Sequence, residues 1–108
     1  MKIYLVSRTE DKLKVAADEI SKKYNVETKY FVADLVQAGQ DTKNSCWYGL
    51  KQNVASMDVG ILVNNAGMSY DHPECFDAIS EITLDAIVAI NITSMSKVLL
   101  NNLDWRML

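Results

Sequence analysis

Val59-Gly60-Ile61-Leu62-Val63-Asn64-Asn65-Ala66-Gly67 passes from an unbroken apolar run into two amides and two small residues. Residues 59–64 read as a strand that is apolar on both faces, the pattern of a parallel sheet covered by helices. Gly67 ends it. Toward the N-terminus, residues 3–7 (Ile-Tyr-Leu-Val-Ser) read as a first short strand. Thr9 is a helix N-cap, with Glu10 and Asp11 at the positive helix end. Leu13, Ala16, Ala17, Ile20 and Tyr24 recur on one helical face, and Asn25 is a stop. A second strand is predicted over residues 28–33, centred on Tyr30-Phe31-Val32. Residues 36–43 are polar, contain Gly39 and read as a loop. Trp47, Leu50, Val54 and Met57 then recur at helical spacing across Gly49. C-terminal to the opening stretch, residues 69–74 read as a loop holding the only proline, Pro73. A long helix follows over residues 84–101, with Leu84, Val88, Met95 and Leu99 on one stripe.

Strands alternating with helices imply a parallel sheet with right-handed crossovers, a doubly wound α/β layout. The 108 residues make one domain, 1–108. A net charge of −3 leaves no basic excess to neutralise phosphates, which argues against nucleic-acid binding. Cys46 and Cys75 sit in no metal-ligand spacing and read as reduced thiols, so no metal site is expected. No apolar run approaches the roughly 20 residues needed to span a bilayer. The N-terminus reaches Arg8, Glu10 and Asp11 too soon for a signal peptide, so the chain as written reads as soluble and intracellular.

In doubly wound sheets ligands bind at the carboxyl ends of the strands. Here those ends are Ser7-Arg8, Asp34-Leu35 and Asn64-Asn65-Ala66-Gly67. Arg8 reads in two ways: a solvated loop arginine, or a guanidinium gripping the 2′-phosphate of NADP. Asp34 reads as a turn aspartate, or as an acceptor for an adenine amino group. The Asn-Asn-Ala-Gly tetrad reads as a turn, or as two amides and two small residues that let backbone approach a flat ligand. Asn91 shares the stripe of Leu84, Val88 and Met95, so the helical period buries it. A buried amide without partners costs about 1–3 kcal/mol, so backbone, water or an active-site network must satisfy it. Asn91-Ile92-Thr93 is also a glycosylation sequon, silent in the middle of a helix. Asp71 and His72 have no nucleophile placed beside them and read as incidental. Met57, Met68 and Met95 read as core filling.

Together these features resemble the short-chain dehydrogenase/reductase family, over residues 3–100. The carrying motifs are Asp34 after a strand, Asn64-Asn65-Ala66-Gly67, and Asn91 in register with them. Residues 5–13 and 58–70 resemble the branch of very-long-chain 3-oxoacyl-CoA reductases and 17-beta-hydroxysteroid dehydrogenases. The resemblance implies a Rossmann-like sheet and an NADP(H) cofactor. It places Arg8, Asp34, Leu35, Asn65, Ala66 and Gly67 at the cofactor, and Asn91 in a catalytic tetrad of Asn, Ser, Tyr and Lys. It implies a lipid-like keto or hydroxy substrate, acyl-CoA or steroid, and dimers formed through the helix around Asn91. Full-length members of the branch reside at the endoplasmic reticulum.

The family pattern opens with a strand and a Thr-Gly-x-x-x-Gly-x-Gly turn, and closes its site with a Tyr-x-x-x-Lys pair. The four glycines here, Gly39, Gly49, Gly60 and Gly67, make no such turn, and no Tyr-x-x-x-Lys occurs. The cofactor site is therefore expected to be incomplete and the isolated chain inactive. The strand order of such folds would also leave two inner sheet edges open, to be closed by pairing those strands directly or by a strand from another chain. Three readings follow: part of an oxidoreductase, a non-catalytic partner of a complete reductase subunit, or a fragment without function.

Overall fold

A computed structural model describes residues 1–41, 43 and 45–102. The chain divides into two compact units, Met1–Asp34 and the part from Leu35 onward. It is α/β in both content and order.

The first unit is a β–α–β unit. Strand β1 (Lys2–Ser7) and strand β2 (Glu27–Val32) pair in parallel, from Lys2 opposite Glu27 to Ser7 opposite Val32. The Ala33 amide donates to the Ser7 carbonyl at 2.9 Å and continues the ladder one residue further. Between them runs α1 (Glu10–Tyr24), which buries Leu13 and Ala17. The predicted apolar face is thus correct at its centre. It fails at Tyr24, which is 61% exposed where the helix runs out. Thr9 does occupy the N-cap, but its side chain caps nothing; its carbonyl accepts from Leu13. Asn25 ends the helix with φ 50° and ψ 48°, a left-handed conformation that asparagine adopts more readily than most residues. At the open end of the ladder Lys2 and Lys29 both reach Glu27, at 2.8 and 3.4 Å.

The second unit is helical. Residues 36–43 were expected to form a loop, but Leu35–Gln40 is a short helix, α2. Tertiary contact decides this segment against its glycine. A Cβ on Gly39 would overlap the Ala89 carbonyl oxygen and lie 2.7 Å from Ser94 Oγ, so only glycine lets α2 approach so closely. Helix α3 (Ser45–Val54) buries Trp47, Leu50 and Val54 as its spacing predicts. The Trp47 indole donates to the Ala38 carbonyl at 2.9 Å, and Lys97 lies over its ring at 5.1 Å. Met57 lies beyond this helix.

Residues 59–64 correct the central expectation. They form no strand ladder, and the sheet described has two strands. Ile61 is 82% exposed and Val63 74%. A strand holds its conformation through ladder bonds to a neighbour, and none of the described residues supplies one here.

The long C-terminal helix begins earlier than predicted, because Ser80 caps it by accepting from the Thr83 amide at 3.2 Å. It runs as α4 (Glu81–Val88), a π-helical turn (Ala89–Ser94) and α5 (Met95–Asn102). Two further expectations fall here. Val88 and Met95 are exposed, so that stripe is not the buried one, and Met68 is exposed as well; these methionines fill no core. In addition, residues Glu81–Leu100 are long and apolar enough to cross a membrane, by length and composition alone.

The contacts of Glu27 give a direct test of the parallel register. Hydrogen bonding and charge from Lys2, then Lys29, hold its carboxyl below the usual glutamate range. A carboxyl with a depressed folded-state pKa stabilises the fold above its unfolded pKa, and that contribution is lost as pH falls through the lower folded value. Carbon-detected NMR titration should place the Glu27 midpoint below the ordinary glutamate range, and Lys2→Met should raise it.

Candidate functional site

Parallel pairing puts the carboxyl ends of β1 and β2 on the same side of the first unit. Arg8 follows β1 directly and is exposed. No ion pair or side-chain hydrogen bond engages it among the described residues. Asp34 follows β2 by two residues and is half-buried. The two residues singled out at these strand ends thus flank the same end of one parallel pair.

In the second unit the site is organised by the π-helical turn. A π turn spaces its backbone hydrogen bonds at i→i+5, widening the helix and re-aiming its side chains. Asn91 sits in the middle of this turn. Its Oδ1 accepts from the Met68 amide at 3.2 Å, and its Nδ2 donates to the Met68 carbonyl at 2.7 Å. One side-chain amide therefore grips both polar groups of one residue, immediately after the Asn-Asn-Ala-Gly tetrad. Among the partners open to Asn91, backbone is the one it uses. The reason differs from the one expected, since Asn91 is half-buried on a face that is largely exposed.

Gly67 is explained by the same contact. A Cβ there would stand 2.8 Å from Asn91 Oδ1 and press on an amide held at both ends. The tetrad's glycine and the helix asparagine thus fit together as one feature. Asn65 and Ala66 lie in the exposed loop before Gly67. Leu35 begins α2, and its carbonyl accepts from the Ser94 hydroxyl. Asp71 and His72 are exposed in the loop beyond the clamp.

Ser94 escaped the sequence reading. It is fully buried, the one buried polar side chain recorded among the described residues. A weak signal for it existed: a serine three residues after Asn91 lies close to the same helix face and, if buried, needs a partner as Asn91 does.

A model of the short chain dehydrogenase family matches residues 1–104. The chain belongs to the short-chain dehydrogenase family. Relatives in it include the very-long-chain 3-oxoacyl-CoA reductase of Rattus norvegicus, 37% identical over 100 residues, covering 91% of this chain and 30% of the relative. The inactive hydroxysteroid dehydrogenase-like protein 1 of Homo sapiens is 38% identical over 96 residues, covering 89% of this chain and 28% of the relative. This chain therefore spans less than a third of the length of these relatives. Two solved structures share the fold at a TM-score of 0.75 and 20% identity. One is a bulky-bulky ketone specific alcohol dehydrogenase from Comamonas testosteroni, covering 94% of this chain and 38% of that one. The other is a short-chain dehydrogenase from Sphingobium yanoikuyae in complex with NADPH, covering 94% and 37%.

The fit between Gly67 and Asn91 predicts an energetic coupling. Gly67→Ala should cost about 1–3 kcal/mol, as overpacking against a held group does. In an Asn91→Ala background the penalty should shrink, because the obstructing oxygen is gone. Urea unfolding followed by circular dichroism measures both.

Proposed function

We propose that this chain belongs to an NADP(H)-dependent oxidoreductase acting on a keto or hydroxy group of a lipid-like substrate, a 3-oxoacyl-CoA or a steroid. The observation that carries the proposal is Arg8, an exposed cation with no partner among the described residues, at the end of a parallel pair that also ends near Asp34. A planar guanidinium there suits a phosphate monoester, which it can bind through paired charge-assisted hydrogen bonds. The names of the relatives support the substrate class, and the NADPH complex of a structural neighbour supports the cofactor.

The residues present fit a dinucleotide in part. Arg8 would take the 2′-phosphate, Asp34 and Leu35 the adenine, and Asn65, Ala66 and Gly67 the wall of the cofactor cleft. When bound, the nicotinamide supplies hydride to the keto carbon or removes it from the alcohol. Asn91 contributes by holding the loop after the tetrad, and through it the groups around the reacting carbonyl. Protonating the carbonyl oxygen needs a general acid. No Tyr-x-x-x-Lys pair occurs among these 108 residues, so none of the residues named here is that acid.

A second reading, a non-catalytic partner of a complete reductase subunit, rests on two exposed features. Val88, Ile92 and Met95 are exposed on the long helix, and residues 59–64 have no ladder partner among the described residues, with Ile61 and Val63 exposed. Both are surfaces that a second chain covers well. The same helix serves for a homodimer.

Titration of NADPH and NADH into the chain, followed by nicotinamide fluorescence, tests the first reading. NADPH should bind the tighter by about ten- to a hundredfold, the worth of a charge-assisted hydrogen-bond pair, and Arg8→Asp should abolish that preference. Equal binding of the two nucleotides, or none of either, contradicts it. For the second reading, light scattering with a full-length reductase should show a mixed species; a clean monomer in its presence contradicts that reading.

A further inference from the structure

We propose that Ser94 is a positioning residue of the nucleotide site, acting on the adenine end through the Leu35 backbone. The proposal rests on the reading of Leu35 as a nucleotide-binding residue. Ser94 is 0% exposed and closes the π-helical turn that carries Asn91. Its hydroxyl donates to the Leu35 carbonyl, 59 residues away in sequence.

That carbonyl is the first of α2, and α2 lies against the π turn with Gly39 at the closest approach. The contact is selective in what it tolerates. A side chain at position 39 would crowd the Ser94 hydroxyl and the Ala89 carbonyl together, so glycine there and serine at 94 are matched. Losing the buried hydroxyl removes this anchor of the Leu35 carbonyl, while the packing of Gly39 against Ala89 remains. One irregular helical turn therefore holds two separate segments of backbone. Asn91 holds Met68 after the tetrad, and Ser94 holds Leu35 at the end of the second strand's connection. A regular α-helix would place residues 91 and 94 on nearly one face; the π turn gives them distinct targets.

The test is an NMR titration of the chain with 2′,5′-ADP and with 5′-AMP, comparing wild type, Ser94→Ala and Arg8→Gln. Ser94→Ala should weaken both ligands by the same factor, about three- to tenfold for a buried hydrogen bond. Beyond the turn around position 94 itself, its amide shift changes should be confined to residues 35–40, with the Met68 amide unmoved. Arg8→Gln should weaken 2′,5′-ADP alone. Unchanged affinities in a folded Ser94→Ala overturn the proposal. So does a loss accompanied by shifts throughout the second unit, which marks a purely structural residue. Should Ser94→Ala fail to fold, Ser94→Cys keeps the volume with a poorer donor and should give a smaller loss of both ligands; wild-type affinity in it overturns the proposal. Failure of wild type to bind either ligand refutes the nucleotide reading itself, and the role of Ser94 with it.

Discussion

The grip of one asparagine side chain on the amide and carbonyl of one residue sets most of what is specific about the second unit. Asn91 accepts from and donates to Met68, and that pairing requires glycine at position 67. It also accompanies a departure from regular α-helix, since the turn that presents Asn91 is the π-helical one. π turns are costly relative to α turns and occur chiefly where side chains must be re-aimed. In this chain the re-aimed side chains are two, Asn91 and Ser94, and each ends on backbone rather than on another side chain. A backbone target makes the geometry independent of the identity of residues 35 and 68, while fixing their position.

The second constraint is the pairing of strands. β1 and β2 satisfy each other along six registered positions, and α1 covers them with Leu13 and Ala17. Residues 59–64 have the composition of a central parallel strand but no neighbour among the described residues, so composition alone produces no strand. Exposed Ile61 and Val63 are the visible result. Strand formation is a property of a pair, and an apolar run is only half of the requirement.

Much of the fold was legible because it depends on local signals. β1, α1 and β2 follow from periodicity, an N-terminal acidic turn and Asn25, and their bounds shift by only a residue. The tetrad and Asn91 were legible as a pattern, and the family follows from them. The rest depends on contacts distant in sequence. α2 looks like a loop until Gly39 is seen against Ala89 and Ser94. The stripe of Val88 and Met95 looks buried by its period, yet both residues are exposed, and Ser94 looks like any helix serine until its hydroxyl reaches Leu35. Asn91 reads as an amide buried on the stripe of Val88 and Met95; that stripe is exposed, and what satisfies Asn91 is backbone 23 residues earlier.

The most direct test of this account is amide hydrogen exchange at Met68, in wild type and in Asn91→Ala. Its only acceptor among the described residues is the Asn91 side chain, in a loop otherwise without secondary structure. The account predicts measurable protection at Met68 in wild type, well above that of the neighbouring loop amides, and its loss in Asn91→Ala while β1 and β2 stay protected. A Met68 amide that exchanges as fast as its neighbours in wild type, or that keeps its protection without Asn91, would contradict it.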